Sequence, residues 1–188
     1  MTLEAPRDPF SEVVDERRRW MPDWYSWLQT LISGINTEIA GLNTGSLSDY
    51  TEGTWVPTIT FDTPGDLSVV YTTQFGIYRK IGTLIHVAFN IATSTFTHTT
   101  AAGNLHISLP FQPATTPAIN QRTGTLYFQG ITKVNYTQFV VSFENLAGPF
   151  AIVDASGSAQ ALSVVTAADM PTGGTVELRG GGTYATSS

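Results

Sequence analysis

The side chains that could carry chemistry in this 188-residue chain are few and scattered. Past residue 50 the carboxylates are Glu52, Asp62, Asp66, Glu144, Asp154, Asp169 and Glu177. Cleaving a glycosidic bond usually takes two of them, about 5 to 9.5 Å apart, in one groove. Asp62 and Asp66 come nearest in sequence. They flank Pro64-Gly65, however, and aspartate there is an ordinary turn residue. No G-x-S-x-G is present, and the serines of "ASGSA" (155–159) read as a flexible loop. The glycines of "GGTVELRGGG" flank a strand instead of opening a helix, so they form no phosphate-binding loop. His86, His98 and His106 are the three histidines. His86 and His106 fall on the polar faces of their segments and would lie close if those strands paired. Metal ligation would then need symmetry copies of one residue, and hydrogen-bonded surface histidine is the commoner state. The expectation is a protein without catalytic residues, metal or cofactor.

Composition narrows the partners. The formal charge is −6 and the pI about 4.8, whereas phosphate backbones attract clustered Lys and Arg, so nucleic acid is not expected. The basic run Arg17-Arg18-Arg19 follows Asp15-Glu16, the pattern of a solvated helix face. Charged residues make up 13%, about half of the roughly 25% usual in globular chains. Thr, Ser, Asn, Gln and Gly must then supply the wet surface, as all-β proteins do. There is no cysteine, hence no disulfide framework. The N-terminus lacks the basic and apolar regions of a signal peptide, and no run reaches the roughly 18 apolar residues of a membrane span. The chain is expected to be made in the cytoplasm, without membrane insertion.

Two periodicities divide the chain. "APRDP" (5–9) is extended or turn-like, and Ser11 can cap a short helix to Arg19. Pro22 suits the first position of a second helix. From there Met21, Tyr25, Leu28, Ile32, Ile35, Ile39 and Leu42 recur at alternating steps of four and three, a heptad seam. With Tyr25, Ile32 and Ile39 at a, and Leu28, Ile35 and Leu42 at d, isoleucine fills two a layers and one d layer, and isoleucine at both a and d favours three or more strands over two. A helix of a globular domain gives a similar stripe, which Trp24, Trp27 and Leu31 would widen. The spacing predicts a helix from Pro22 to Gly41, then a polar linker to Tyr50.

Beyond the linker the period becomes two. In "YTEGTWVPTITF" (50–61), Trp55, Pro57, Ile59 and Phe61 share one face, and Pro57 marks a first or edge strand because it cannot donate to a ladder. "TPGD" (63–66) is a turn, 67–71 a strand, and Lys80 to Thr83 a tight turn with Gly82 at positive φ. Further strands are expected near 104–109, 125–132, 139–143, 150–153, 161–166, 175–178 and 183–185. Short strands between turn signals imply a mainly β sandwich or jelly-roll-like domain over 47–188.

The ordered segments "EGTWVPTITF", "YTTQFGIYRKIGTLIHVAFNI" and "GNLHISLPF" resemble a signature of the β-structured head domain of tailed-bacteriophage fibres and short virion spikes. The matching residues are Gly53, Thr54, Trp55 and Pro57; Tyr71, Gln74, Gly76, Tyr78, Lys80, Ile81 and Gly82; then Gly103, Asn104, Ile107, Ser108, Leu109, Pro110 and Phe111. The chain departs from the pattern at Phe75 and Ile77, where small or polar residues are expected. Residues 112–162 match no named pattern.

The resemblance implies a homotrimer with an N-terminal virion anchor (1–20), a coiled coil with linker (21–46) and a head (47–188) that meets a host-surface glycan or protein. Pro6, Pro9, Phe10, Trp20 and Trp24 are the anchor candidates toward other virion proteins. A pro-bearing arm can dock in extended form, and clustered aromatics suit an interface core. The threonine-rich stretch 93–102, with Phe96, His98 and Thr99, is the candidate host-contacting loop, with 112–122 a second. The alternatives are a capsid or collar decoration that binds no host, and a glycan depolymerase.

Overall fold

The computed structural model describes residues 22–46, 49–114, 122–144 and 148–186, with side chains from residue 24 to 39 in the first of these segments. The chain divides into two compact units, 1–48 and 49–188. Pro6, Pro9, Phe10, Trp20 and Met21 lie outside the described residues, as does the short helix expected before Arg19.

In the first unit α1 spans Pro22–Ser46, about 37 Å at 1.5 Å per residue. It starts where Pro22 predicts but runs through Gly41, where a stop was expected. Propensity alone costs a helix only about 1 kcal/mol at such a glycine. Thr30 and Thr37 donate their hydroxyls to the carbonyls of Ser26 and Ser33, one turn back, at 2.9 and 2.8 Å. These polar groups are satisfied within the helix on the side away from the apolar stripe. Of that stripe, Tyr25, Ile32, Ile35 and Ile39 are exposed and Leu28 is half-buried.

The second unit is mainly β, and its strands form one curled antiparallel sheet. They are β1 (Tyr50–Trp55), β2 (Ile59–Thr63), β3 (Ser68–Ile81), β4 (Leu84–Thr97), β5 (Ala102–Ser108), β6 (Arg122–Gln129), β7 (Gln138–Phe143), β8 (Phe150–Ser156), β9 (Ser163–Val164) and β10 (Glu177–Ala185). Their order is β1-β3-β4-β10-β6-β7-β8-β5-β2, with β9 beside β8. The expected sandwich of two sheets is therefore a single sheet wrapped round its own core. Ile85, Val87, Ile91, Leu105, Ile107, Val141, Phe143, Val153, Leu178 and Tyr184 fill that core without exposure. β3 and β4 meet at Gly82-Thr83, where Gly82 (φ 56°) takes the first central position of a two-residue hairpin turn.

The curl follows from the stretch that carries Pro57. β1 and β2 stand at opposite ends of the sheet order, yet only Val56, Pro57 and Thr58 separate them. Four backbone steps reach about 14 Å at most, so the two edges must approach each other. Side chains close the gap where the ladder cannot. Trp55 Nε1 donates to the Ser108 carbonyl (3.1 Å), the Thr58 amide donates to Ser108 Oγ (2.8 Å), and the Ile59 amide donates to the Tyr71 hydroxyl (2.9 Å). Gln74 Nε2 donates to the Pro57 carbonyl at 3.1 Å. Burial pushes the Tyr71 hydroxyl pKa up, which keeps it neutral.

Trp55 also lies over Gly76, its register partner in β3, where a Cβ would stand 2.5 Å from the indole ring. The tryptophan thus covers the bare backbone of a glycine in the strand. Gly76→Ala is expected to destabilise the unit by about 1–3 kcal/mol, the range for overpacking, and to expose the indole. Denaturant unfolding followed by tryptophan fluorescence checks both.

Candidate functional site

The stretch expected to contact a host begins at Thr93 and ends at Ala102. Half of it is the end of β4, where a register shift against β3 leaves Ser94 unpaired and brings Phe96 to the buried face, one position out of step with Ile85, Val87, Phe89 and Ile91. Phe96 has no exposed surface, and its ring meets Phe61 edge-on at 6.2 Å. His98 is buried as well, 5.4 Å from the Phe61 ring and 5.8 Å from that of Phe96. Phe96 and His98 are therefore core residues, which corrects their assignment as surface contacts.

The loop proper is held by the turn before β3. Asp66 accepts from the amides of Thr99 and Thr100, both at 2.8 Å, and from their hydroxyls at 2.5 and 2.9 Å. Gly65 makes room for this clasp: it has φ 57°, and a Cβ there would sit 2.6 Å from the Thr100 backbone. The Thr99 hydroxyl, which leads these bonds, holds the Asp66 carboxyl well below the usual carboxylate range. A depressed folded-state pKa gives stability that is present above the unfolded value, about 3.9, and is lost as pH falls through the folded one. Wild-type protein is thus expected to lose stability below about pH 4, and Asp66→Asn to lose less over the same interval. Thermal unfolding between pH 2 and 7 checks this.

The other carboxylates are occupied in similar ways. Asp62 accepts the Asn104 amide at 2.7 Å and stands 3.0 Å from His106 Nε2, off the line of a hydrogen bond. His106 stacks on Phe150. It sits in β5 and His86 in β4, strands that do not pair; His86 instead contacts the Thr183 hydroxyl at 3.3 Å. Burial pushes the Asp154 carboxyl up, against a hydrogen bond from Ser142. Glu52 pairs with Arg79 at 3.7 Å, and Glu177 pairs with Arg179. Among the described residues no three His, Asp or Glu side chains converge as metal ligands.

Sequence reasoning passed over one buried pair. Lys133 Nζ lies 2.7 Å from Asp169 Oδ2 and donates to the Val164 carbonyl at 3.1 Å. The same carboxylate accepts the amide and the hydroxyl of Thr166, at 2.8 and 3.0 Å. It also passed over the second face of β3. Phe75, Ile77 and Ile81 alternate with Gly76, Tyr78 and Lys80, so both faces carry large apolar groups. That signal, together with Leu84 and Tyr127, marks the exposed outer side of the sheet. Phe75 and Ile77 are the same two residues that depart from the fibre-head pattern.

Among the described residues no helix is long and apolar enough to cross a membrane. No protein-family model matches the sequence, and no curated protein matches it. Among solved structures the chain is similar to the crystal structure of the Dettilon tailspike protein, with 16% identity and a TM-score of 0.47, over 70% of this chain and 23% of that one.

Proposed function

We propose that this chain is a non-enzymatic fibre or spike subunit of a tailed-phage virion. It trimerises through α1, is held to the particle by residues 1–20, and displays the β unit for attachment to a host-surface glycan or protein. The observation that carries this reading is the stripe of Tyr25, Ile32, Ile35 and Ile39, exposed on α1 at heptad spacing. β-Branched residues left in water on one helix face call for partner helices. The resemblance of 50–111 to fibre heads supplies the virion context. The aspartates bonded to backbone amides support a structural role for those carboxylates.

Replacing Ile32 and Ile35 together by Asn is expected to reduce the native mass below three chains at micromolar concentration. An unchanged mass would remove the helix from the assembly. Particles whose copy of this protein lacks residues 1–20 are expected to carry no spike, while the free trimer still forms; spikes in normal number would end the anchor assignment. Release of oligosaccharide on incubation with host-surface glycan would replace the attachment reading by a depolymerase.

A further inference from the structure

Among the described residues the outer side of the sheet has no partner within the β unit. The registers of β1, β3, β4, β10 and β6 set its residues in rows. Phe75, Asn90, Arg179 and Tyr127 form one row, and Thr54, Ile77, Ala88, Gly181 and Thr125 the next. Glu52, Arg79, His86 and Thr183 follow, then Tyr50, Ile81, Leu84 and Ala185. Tyr50, Phe75, Ile77, Ile81, Leu84 and Tyr127 are each between 39% and 58% exposed. Together they present on the order of 500 Å² of mostly apolar surface, divided by the row that carries Glu52 and Arg79.

We propose that this face is an interface between copies of this chain. It lies on the β unit and is additional to the seam on α1. Three observations favour another copy as the occupant. The six exposed residues alone present more than half of the roughly 800 Å² that one partner gives to a stable interface. The face carries both signs, with Glu52 beside Arg79 and Glu177 beside Arg179. Such a surface has charged partners to offer to itself, whereas it offers little field to an anionic polymer. Its relief is also suited to side chains. Ala88 and Gly181 lie in a shallow trough that Thr125 and Thr183 also line, and Gly181 stays bare because a Cβ would meet the Val87 carbonyl at 2.4 Å. A branched aliphatic side chain from a neighbour fits there. Ile77, Ile81 and Leu84 project on the same face as Tyr50, Phe75 and Tyr127, so it offers both aliphatic and aromatic groups for packing.

The chain has no cysteine, so Ile77→Cys and, on an exposed loop outside this face, Val134→Cys each introduce a single thiol. Each full-length variant is treated with a short bis-maleimide until its thiol is consumed, and its native mass is read beforehand by light scattering. The thiol at 77 is expected to react at least tenfold more slowly than that at 134 and to give covalently joined chains. Reaction at the rate of position 134 would overturn the proposal, because the face would then be open. Slow reaction with single-chain products would also overturn it, since the cover would then belong to the same chain. Either of these results with the native mass still at three chains leaves the spike reading standing and removes only this interface.

Discussion

Lys133→Met is expected to destabilise the β unit by about 3–5 kcal/mol at pH 7, the cost of leaving one partner of a buried ion pair alone. Each side chain of the Lys133–Asp169 pair is 13% exposed, so water cannot take over the abandoned carboxylate. Burial by itself pushes the Asp169 carboxyl up. The Lys133 ammonium and the Thr166 amide and hydroxyl outweigh burial and hold it below its usual value. Its contribution is thus present above the unfolded carboxylate pKa and lost as pH falls through the folded one. The deficit of the Met variant should accordingly shrink below about pH 4, where the isolated carboxyl takes up a proton. Pairing Lys133→Met with Asp169→Leu should restore much of the loss, since two apolar groups leave no charge unpaired. Urea midpoints of the single and double variants across pH measure all of this. The pair ties the loop after β6 to the 3-10 turn Ala167–Asp169, joined also by the Thr132 amide to the Asp169 carbonyl at 2.8 Å.

Phe96→Ala should cost about 3–5 kcal/mol, the range for deleting a buried aromatic ring. The ring has no exposed surface, and its removal leaves a cavity beside Phe61 and His98. The backbone around it stays pinned, with the Phe96 amide donating to the Gly174 carbonyl at 2.9 Å, so collapse into the space is limited. Phe96→Leu should lose less. A loss of host attachment on replacing Phe96 and His98 together would therefore report unfolding of the β unit. Unchanged thermal stability of Phe96→Ala would contradict the placement of this ring.

The difference between the predicted and observed roles of Phe96 shows what the sequence can carry. Alternation in 84–91 identified β4 correctly, because apolar residues every second position need no knowledge of the partner strand. The same rule applied to 93–97 would have turned Phe96 outward, because only the register shift at Ser94, set by the pairing with β3, returns it to the core. The threonines around it read as a loop, although threonine is an ordinary strand residue. The turns at Gly65 and Gly82 were legible for a local reason, since positive φ selects glycine. Gly180, Gly181 and Gly182 misled in the other direction. They look like a break between two strands but lie inside β10, where neighbouring backbone and rings stand too close for a Cβ.

Long-range pairing was the least legible feature. Nothing local tells that β2 lies beside β5 or that β10 crosses back to sit between β4 and β6. The closure at Trp55, Tyr71, Gln74 and Ser108 depends on those pairings, so four residues of the recognised pattern show their purpose only in the folded sheet. The Lys133–Asp169 pair was invisible for the same reason, its partners standing 36 positions apart in the chain.

The central claim is that α1 assembles three copies, and native mass by light scattering on the full chain at micromolar concentration tests it most directly. The account predicts three times the 20.3 kDa of one chain. A mass of 20.3 kDa across the concentration range would contradict it, because the stripe of Tyr25, Ile32, Ile35 and Ile39 would then have to be covered within a single chain.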